Sequence, residues 1–131
     1  MFFKSIGHVA YRVRNMEASV KFYQDVFGME VIHKIPTPDK GTIVFVGTPD
    51  RQSLELFEGG EDELNITGKT AGYIHLCLIV DNFAELVEHV KELGVPFYQE
   101  PRFGEDLSSF RILDPDGNEL EVVERSEKIP F

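Results

Sequence analysis

Cysteine is nearly absent: Cys77 is the only one in 131 residues. No internal disulfide can form, and a reducing compartment, the cytoplasm, is the expected location. Positive charge is scarce. Thirteen Lys and Arg stand against 23 Asp and Glu, a formal net charge of −10. Non-specific nucleic-acid binding needs basic surface and is not expected. The negative field instead draws cations. Long apolar runs are missing too. The run around Cys77 is about seven residues and contains His75, against about 20 for a membrane span. Met1-Phe2-Phe3-Lys4-Ser5 has no basic segment leading into a long apolar stretch, so no signal peptide is expected. What is present is a core: 42% of residues are hydrophobic. A chain of this size can bury roughly two-thirds of its unfolded surface. The length fits one domain, 1–131, or two small modules sharing a core.

An internal repeat decides for modules. Ile6-Gly7-His8-Val9-Ala10-Tyr11-Arg12-Val13-Arg14-Asn15 reads as a strand leaving into a turn. Tyr73-Ile74-His75-Leu76-Cys77-Leu78-Ile79-Val80-Asp81-Asn82 reads the same way 67 residues later. His8 maps onto His75 and Asn15 onto Asn82. A helical pattern follows each copy. Ala18, Phe22, Val26 and Phe27 fall near one face of the first, and Phe83, Leu86, Val87, Val90 and Leu93 on one face of the second. Gly28 and Gly94 end them, as left-handed closing residues do. Gly47-Thr48-Pro49-Asp50 then precedes Ser53–Glu58, and Asp114-Pro115-Asp116-Gly117 precedes Glu119–Glu124, at an offset of 66 residues. One loop indel accounts for the change of offset. Glu30–Ile35 with Thr42–Val46, and Phe97–Glu100 with Phe110–Leu113, supply two more strands per copy. The fold class is therefore α+β: two tandem βαβββ modules, about 5–60 and 72–125, forming a curved mixed sheet. The polar, Gly-containing joint is Glu61–Gly72.

Strand alternation then places four side chains. Leu54 and Leu56 point to one face and Glu55 and Phe57 to the other. Leu120 and Val122 oppose Glu121 and Val123. The leucine face packs under the helices, and the glutamate face looks into the concave side. His8 and His75 sit in the first strand of each module. Each module thus offers one His and one Glu from equivalent places. If the modules pair about a pseudo-two-fold, the four meet on its axis. Two imidazoles and two carboxylates suit Zn, Ni, Co, Fe or Mn, and no thiolate joins them. Such an ion can polarise a carbonyl or stabilise an enediolate. A carboxylate beside it can act as base. His33 and His89 have no repeat partner and read as structural or surface groups. Glu58 and Glu124 read as solvated charges. Cys77 reads as a small buried hydrophobe rather than a nucleophile.

These residues resemble the vicinal oxygen chelate superfamily, and within it the short bacterial glyoxalase I enzymes. The likeness runs over roughly residues 5–125. It is carried by His8-Val9-Ala10-Tyr11-Arg12-Val13 into Ser19-Val20-Lys21-Phe22-Tyr23, by Val26-Phe27-Gly28-Met29, by Leu54-Glu55-Leu56 and Ile74-His75-Leu76, and by Asp114-Pro115-Asp116-Gly117 through Leu120-Glu121. The resemblance implies the glyoxalase/bleomycin resistance/dioxygenase fold. It implies His8, Glu55, His75 and Glu121 as ligands of one divalent metal (Ni, Co or Zn), with Glu121 the main proton-shuttling base and Glu55 its partner. It also implies isomerisation of a 2-oxoaldehyde/glutathione hemithioacetal to an S-2-hydroxyacyl thioester through an enediolate, in a homodimer acting on a small molecule. Arg12 matches an arginine that binds a glutathione carboxylate in the family; otherwise it is a surface arginine on a strand end. Gly59 departs from the family, which carries a glutathione-contacting asparagine there, so another thiol or another chelating substrate stays open. Two other readings stay open as well. One is an acyl-CoA epimerase-like enzyme, although such enzymes generally place Gln where Glu55 stands. The other is a binding or resistance protein without chemistry. The modules can pair within one chain or swap between two.

Overall fold

A computed structural model describes residues 1–39, 41–62 and 69–131. The chain divides into two compact units, Met1–Leu64 and Asn65–Phe131. The expected joint, Glu61–Gly72, contains residues 63–68, which lie outside the described residues.

The first unit runs β1 (Val9–Arg12), α1 (Met16–Phe27), β2 (Glu30–Thr37), β3 (Gly41–Gly47) and β4 (Ser53–Phe57). The second runs β5 (His75–Ile79), α2 (Phe83–Glu92), β6 (Phe97–Arg102), β7 (Leu107–Leu113) and β8 (Glu119–Arg125). Each is a βαβββ module with a four-stranded mixed sheet, in the order β1-β4-β3-β2 or β5-β8-β7-β6. The first strand of each lies parallel to the last, and the other pairs are antiparallel. A parallel pair needs a long crossover, which the helix and the intervening hairpin provide. The α+β tandem fold is as the repeat predicts. Several boundaries differ: β7 starts three residues before the expected Phe110, β2 and β6 each run two residues past their expected ends, and β1 starts at Val9, leaving His8 one residue outside the strand.

The inward faces follow the alternation. Leu54, Leu56, Leu120 and Val122 are all buried, but so is Val123, which alternation puts on the glutamate face. The α2 stripe is as expected at Phe83, Val87 and Val90, but Leu93 is exposed. The α1 stripe is turned by one residue. Ser19, Tyr23 and Val26 are buried, while Ala18 is exposed and Phe22 half-buried. Tyr23 fills more of the core than Ala18 could, and its ring stacks on Phe27 at 6.3 Å. Tyr23 therefore sets the helix rotation.

The helix ends show why each module stops where it does. Asn15 has extended backbone and its Oδ1 accepts the Ala18 N–H at 3.0 Å, satisfying one orphan donor of the first turn. Gly28 closes α1 in the left-handed region at φ 67°, which costs glycine nothing. In the second unit Asn82 is itself left-handed, at φ 57°, and makes no side-chain cap bond. Glu124 of β8 takes over, its Oε1 accepting the Phe83 N–H at 3.3 Å. Glu124 is thus half-buried at a helix N-terminus, where a negative charge is favoured, and is not the solvated charge that its sequence position suggests. The Asp114–Gly117 turn is held by Asp114, which is buried. Its carboxylate accepts the N–H groups of Asp116 and Asn118 and the Asn118 side-chain amide.

Candidate functional site

Register puts Glu55 beside β1. Residue pairs Val9–Leu54, Ala10–Glu55 and Tyr11–Leu56 run in parallel. With Leu54 and Leu56 facing the core, Glu55 faces the other side. His8, two residues before Ala10, shares that face. The outcome is a contact: His8 Nε2 lies 2.8 Å from Glu55 Oε2. The second unit repeats the construction. Cys77 pairs with Glu121, and His75 stands two residues before Cys77. His75 Nε2 lies 3.1 Å from Glu121 Oε2. Both carboxylates are largely sheltered, with side-chain exposures of 14% for Glu55 and 21% for Glu121.

The structure therefore brings the four expected side chains together as two pairs, each within its own unit. Among the described residues no group of three or more His, Cys, Asp or Glu converges as a metal cluster. The donor chemistry of each pair nonetheless fits a divalent ion. Imidazole nitrogen and carboxylate oxygen both bind at about 2.1 Å, so two such donors at right angles around one ion lie about 3 Å apart. The spacings of 2.8 and 3.1 Å match that edge.

Residues 5–122 match the family model of the Glyoxalase/Bleomycin resistance protein/Dioxygenase superfamily. The chain belongs to this superfamily. A probable chloroplastic lactoylglutathione lyase of Arabidopsis thaliana is 36% identical over 90% of this chain, which spans only 35% of that longer protein. A lactoylglutathione lyase of Neisseria meningitidis is 32% identical, with 90% of this chain and 88% of the relative covered. Among solved structures, a glyoxalase family protein from Enterococcus faecalis superposes with a TM-score of 0.77 at 28% identity, covering 95% of this chain and all of that one.

Around the two His–Glu pairs, the surroundings were less legible from the sequence. Arg12 is exposed and shares the Glu55 face, opposite Phe57. Its Nη1 donates to the Glu58 carbonyl at 2.8 Å, and its guanidinium lies 5.6 Å from the centre of the Phe57 ring. Gly59 has φ 84°, and a Cβ there would come to 4.0 Å from Arg12 Nη1. Position 59 thus borders the Arg12 guanidinium. Gly60 is needed for space: a Cβ there would meet the Val13 carbonyl carbon at 2.8 Å, where β1 and the end of β4 continue their pairing.

Cys77 is exposed, not buried as its apolar neighbours suggest. β5 lies at the end of its sheet, and Cys77 falls on the face of His75 and Glu121. Partial burial of the thiol pushes its pKa up. The Glu121 carboxylate adds to this and Arg125 works against it. A raised pKa leaves little thiolate, in line with its reading as no nucleophile. His89 is exposed on α2. His33 is exposed on β2, its ring 6.1 Å from Phe45. Sequence reasoning missed Arg111 altogether. Its Nη1 reaches Glu119 Oε1 at 2.8 Å and its Nη2 reaches Glu121 Oε2 at 3.2 Å. The available signal was an arginine on the strand that pairs with the Glu121 strand; only the register places it opposite Glu121. Among the described residues no helix is long and apolar enough to cross a membrane.

Proposed function

We propose that this protein is a metal-dependent lyase of the glyoxalase I type, acting as a cytoplasmic homodimer. One observation carries the reading: the same His–Glu pair, on the same face, is built twice by two modules of one plan. The lactoylglutathione lyases among its relatives support it. His8, Glu55, His75 and Glu121 would hold one divalent ion, Ni, Co or Zn. When bound, the ion supplies positive charge that stabilises the oxygens of an enediolate.

The chain's own residues do the rest. The Glu121 carboxylate takes the proton from the carbon that bears oxygen and sulfur in the hemithioacetal. It returns that proton to the neighbouring carbon, and the product is an S-2-hydroxyacyl thioester. One C–H bond breaks and another forms, and the hydroxyl proton passes from one oxygen to its neighbour, so the product is an isomer of the hemithioacetal. Glu55 serves as the second carboxylate ligand. Arg12 receives an anionic group of the thiol, which a guanidinium does with two parallel hydrogen bonds.

The test is thioester formation from methylglyoxal and glutathione, using metal-free protein reloaded separately with Ni, Co or Zn. Metal-dependent turnover with one ion bound per chain is expected. Two ions per chain would mean that the pairs act separately. Folded protein that binds an ion and turns over nothing would reject the glutathione reaction. Gly59 beside Arg12 favours one second reading, in which the thiol is not glutathione. Turnover of methylglyoxal with a different small thiol would select it. A coenzyme A thioester that exchanges its α-proton for deuterium would select the epimerase-like reading. Folded protein that takes up no metal would select a binding role without chemistry.

A further inference from the structure

Glu55 and Glu121 hold equivalent places, yet the neighbouring strand gives each a different companion. In the first unit Phe45 of β3 stands opposite Glu55. Its ring meets the His8 ring nearly edge-on, with centroids 5.6 Å apart. In the second unit Arg111 of β7 stands opposite Glu121. Its guanidinium forks over two carboxylates: Glu119 at 2.8 Å and Glu121 at 3.2 Å. Its Nε is buried with no hydrogen-bond partner among the described residues. The fork's side chains are 33%, 18% and 21% exposed for Arg111, Glu119 and Glu121. Salt screens such partly buried pairs less than open surface pairs.

Glu121 Oε2 is the atom that also faces His75 Nε2. A single oxygen is thus shared between an imidazole and a guanidinium. A carboxylate that ligates a divalent ion offers it a lone pair, and Oε2 is the oxygen that lies beside His75. The guanidinium draws on the same lone pairs, and its charge repels the ion. Phe45, the companion of Glu55, is uncharged.

We propose that Arg111 is a positioning residue that holds the Glu121 side chain and makes it the weaker of the two carboxylate ligands. This rests on the metal-dependent reading above. Phe45 makes no such demand on Glu55, so Glu121 is the carboxylate whose oxygen would be shared between an ion and a guanidinium. Glu119 limits the effect by occupying the other half of the guanidinium. Without Glu119, Arg111 turns wholly onto Glu121.

The experiment uses the full chain and measures Zn affinity by competition with a chromophoric chelator, with turnover followed on the same samples. Arg111→Gln is expected to bind Zn about tenfold more tightly, equivalent to about 1.4 kcal/mol, and to turn over at least roughly tenfold more slowly. Those opposite movements are the signature, because a merely structural role lowers both. Arg111→Phe, which copies the first unit, is expected to do the same and decides if the glutamine variant does not fold. Glu119→Gln is expected to weaken Zn binding. Arg102→Gln, which removes an equal charge from the adjoining β6, is expected to leave it within about twofold. The proposal is overturned if neither Arg111 variant binds Zn more tightly, if Arg102→Gln tightens it equally, or if affinity and turnover fall together. Wild-type protein that takes up no Zn, Ni or Co would overturn the metal reading itself, a different outcome from Zn binding that Arg111 does not influence.

Discussion

Across one face of the first sheet run His33, Phe45, Glu55 and Ala10; across the same face of the second run Gln99, Arg111, Glu121 and Cys77. The backbone beneath these rows is held closely. β2 and β6 both shift register just before the row, between Val31 and His33 and between Phe97 and Gln99, and β6 shifts again after it, between Gln99 and Arg102. The glutamate alone is common to the two rows. The strands on either side of it carry a phenyl ring and a methyl group in one unit, and a guanidinium and a thiol in the other. The backbone and the place of the glutamate are the same in both units, while the chemistry around the carboxylate differs. Equivalent placement therefore does not imply equivalent behaviour, and the two glutamates are expected to do different work.

The largest effect that would sharpen the comparison is at the carboxylates. Glu121→Gln should cut turnover by about a thousandfold, the scale of a lost general base, with circular dichroism unchanged. Glu55→Gln should act mainly through metal affinity, read by the same chelator competition. Equal losses of affinity and turnover in the two variants would break the distinction. Next come the matched core positions Leu54 and Leu120, both buried. Truncation of either to Ala should cost about 3 kcal/mol in urea unfolding, and by similar amounts, because here the units are alike. Smaller is the difference at the helix starts. Asn15→Ala should cost about 1 kcal/mol, since it removes a cap bond. Asn82→Gly should cost nothing measurable in thermal unfolding, since that side chain caps nothing and its φ suits glycine. A loss as large as that of Asn15→Ala would show that Asn82 does cap α2. Smallest is Cys77→Ala, which copies Ala10. It should change stability by no more than about 0.5 kcal/mol, as expected of an exposed position. Before that change, the raised thiol pKa should make Cys77 react with iodoacetamide more slowly than a free thiol near neutral pH. The rate should climb at a higher pH than usual, because the thiolate forms later.

Much of the fold was legible because its signals are local. Alternation in Ser53–Phe57 and Glu119–Arg125 fixed which side chains face the core, and Gly28 and Gly94 marked the helix ends. The His–Glu pairs were legible because the repeat counted them twice. What could not be read depends on partners distant in sequence. Arg111 meets Glu121 only through the β7–β8 register. Glu124 became a helix cap only because Asn82 adopts a left-handed backbone. Cys77 lies in an apolar run, but its strand sits at the end of a sheet, and that position follows from strand order rather than composition. Tyr23 displaced Ala18 from the core because volume outweighed the periodic pattern.

The parallel pairing of first and last strands also bears on the order of folding. His8 and Glu55 lie almost a whole module apart in sequence, as do His75 and Glu121. Local hairpins such as β2–β3 and β6–β7 close short loops and form early. The β1–β4 and β5–β8 pairs must first close a loop nearly as long as the module, and longer loops cost more entropy. Each His–Glu contact is therefore a late event in its module's folding, and an ion added during refolding should leave the folding rate unchanged while slowing unfolding. Half a module has no means of assembling the pair, so its appearance reports that the chain of that module has closed.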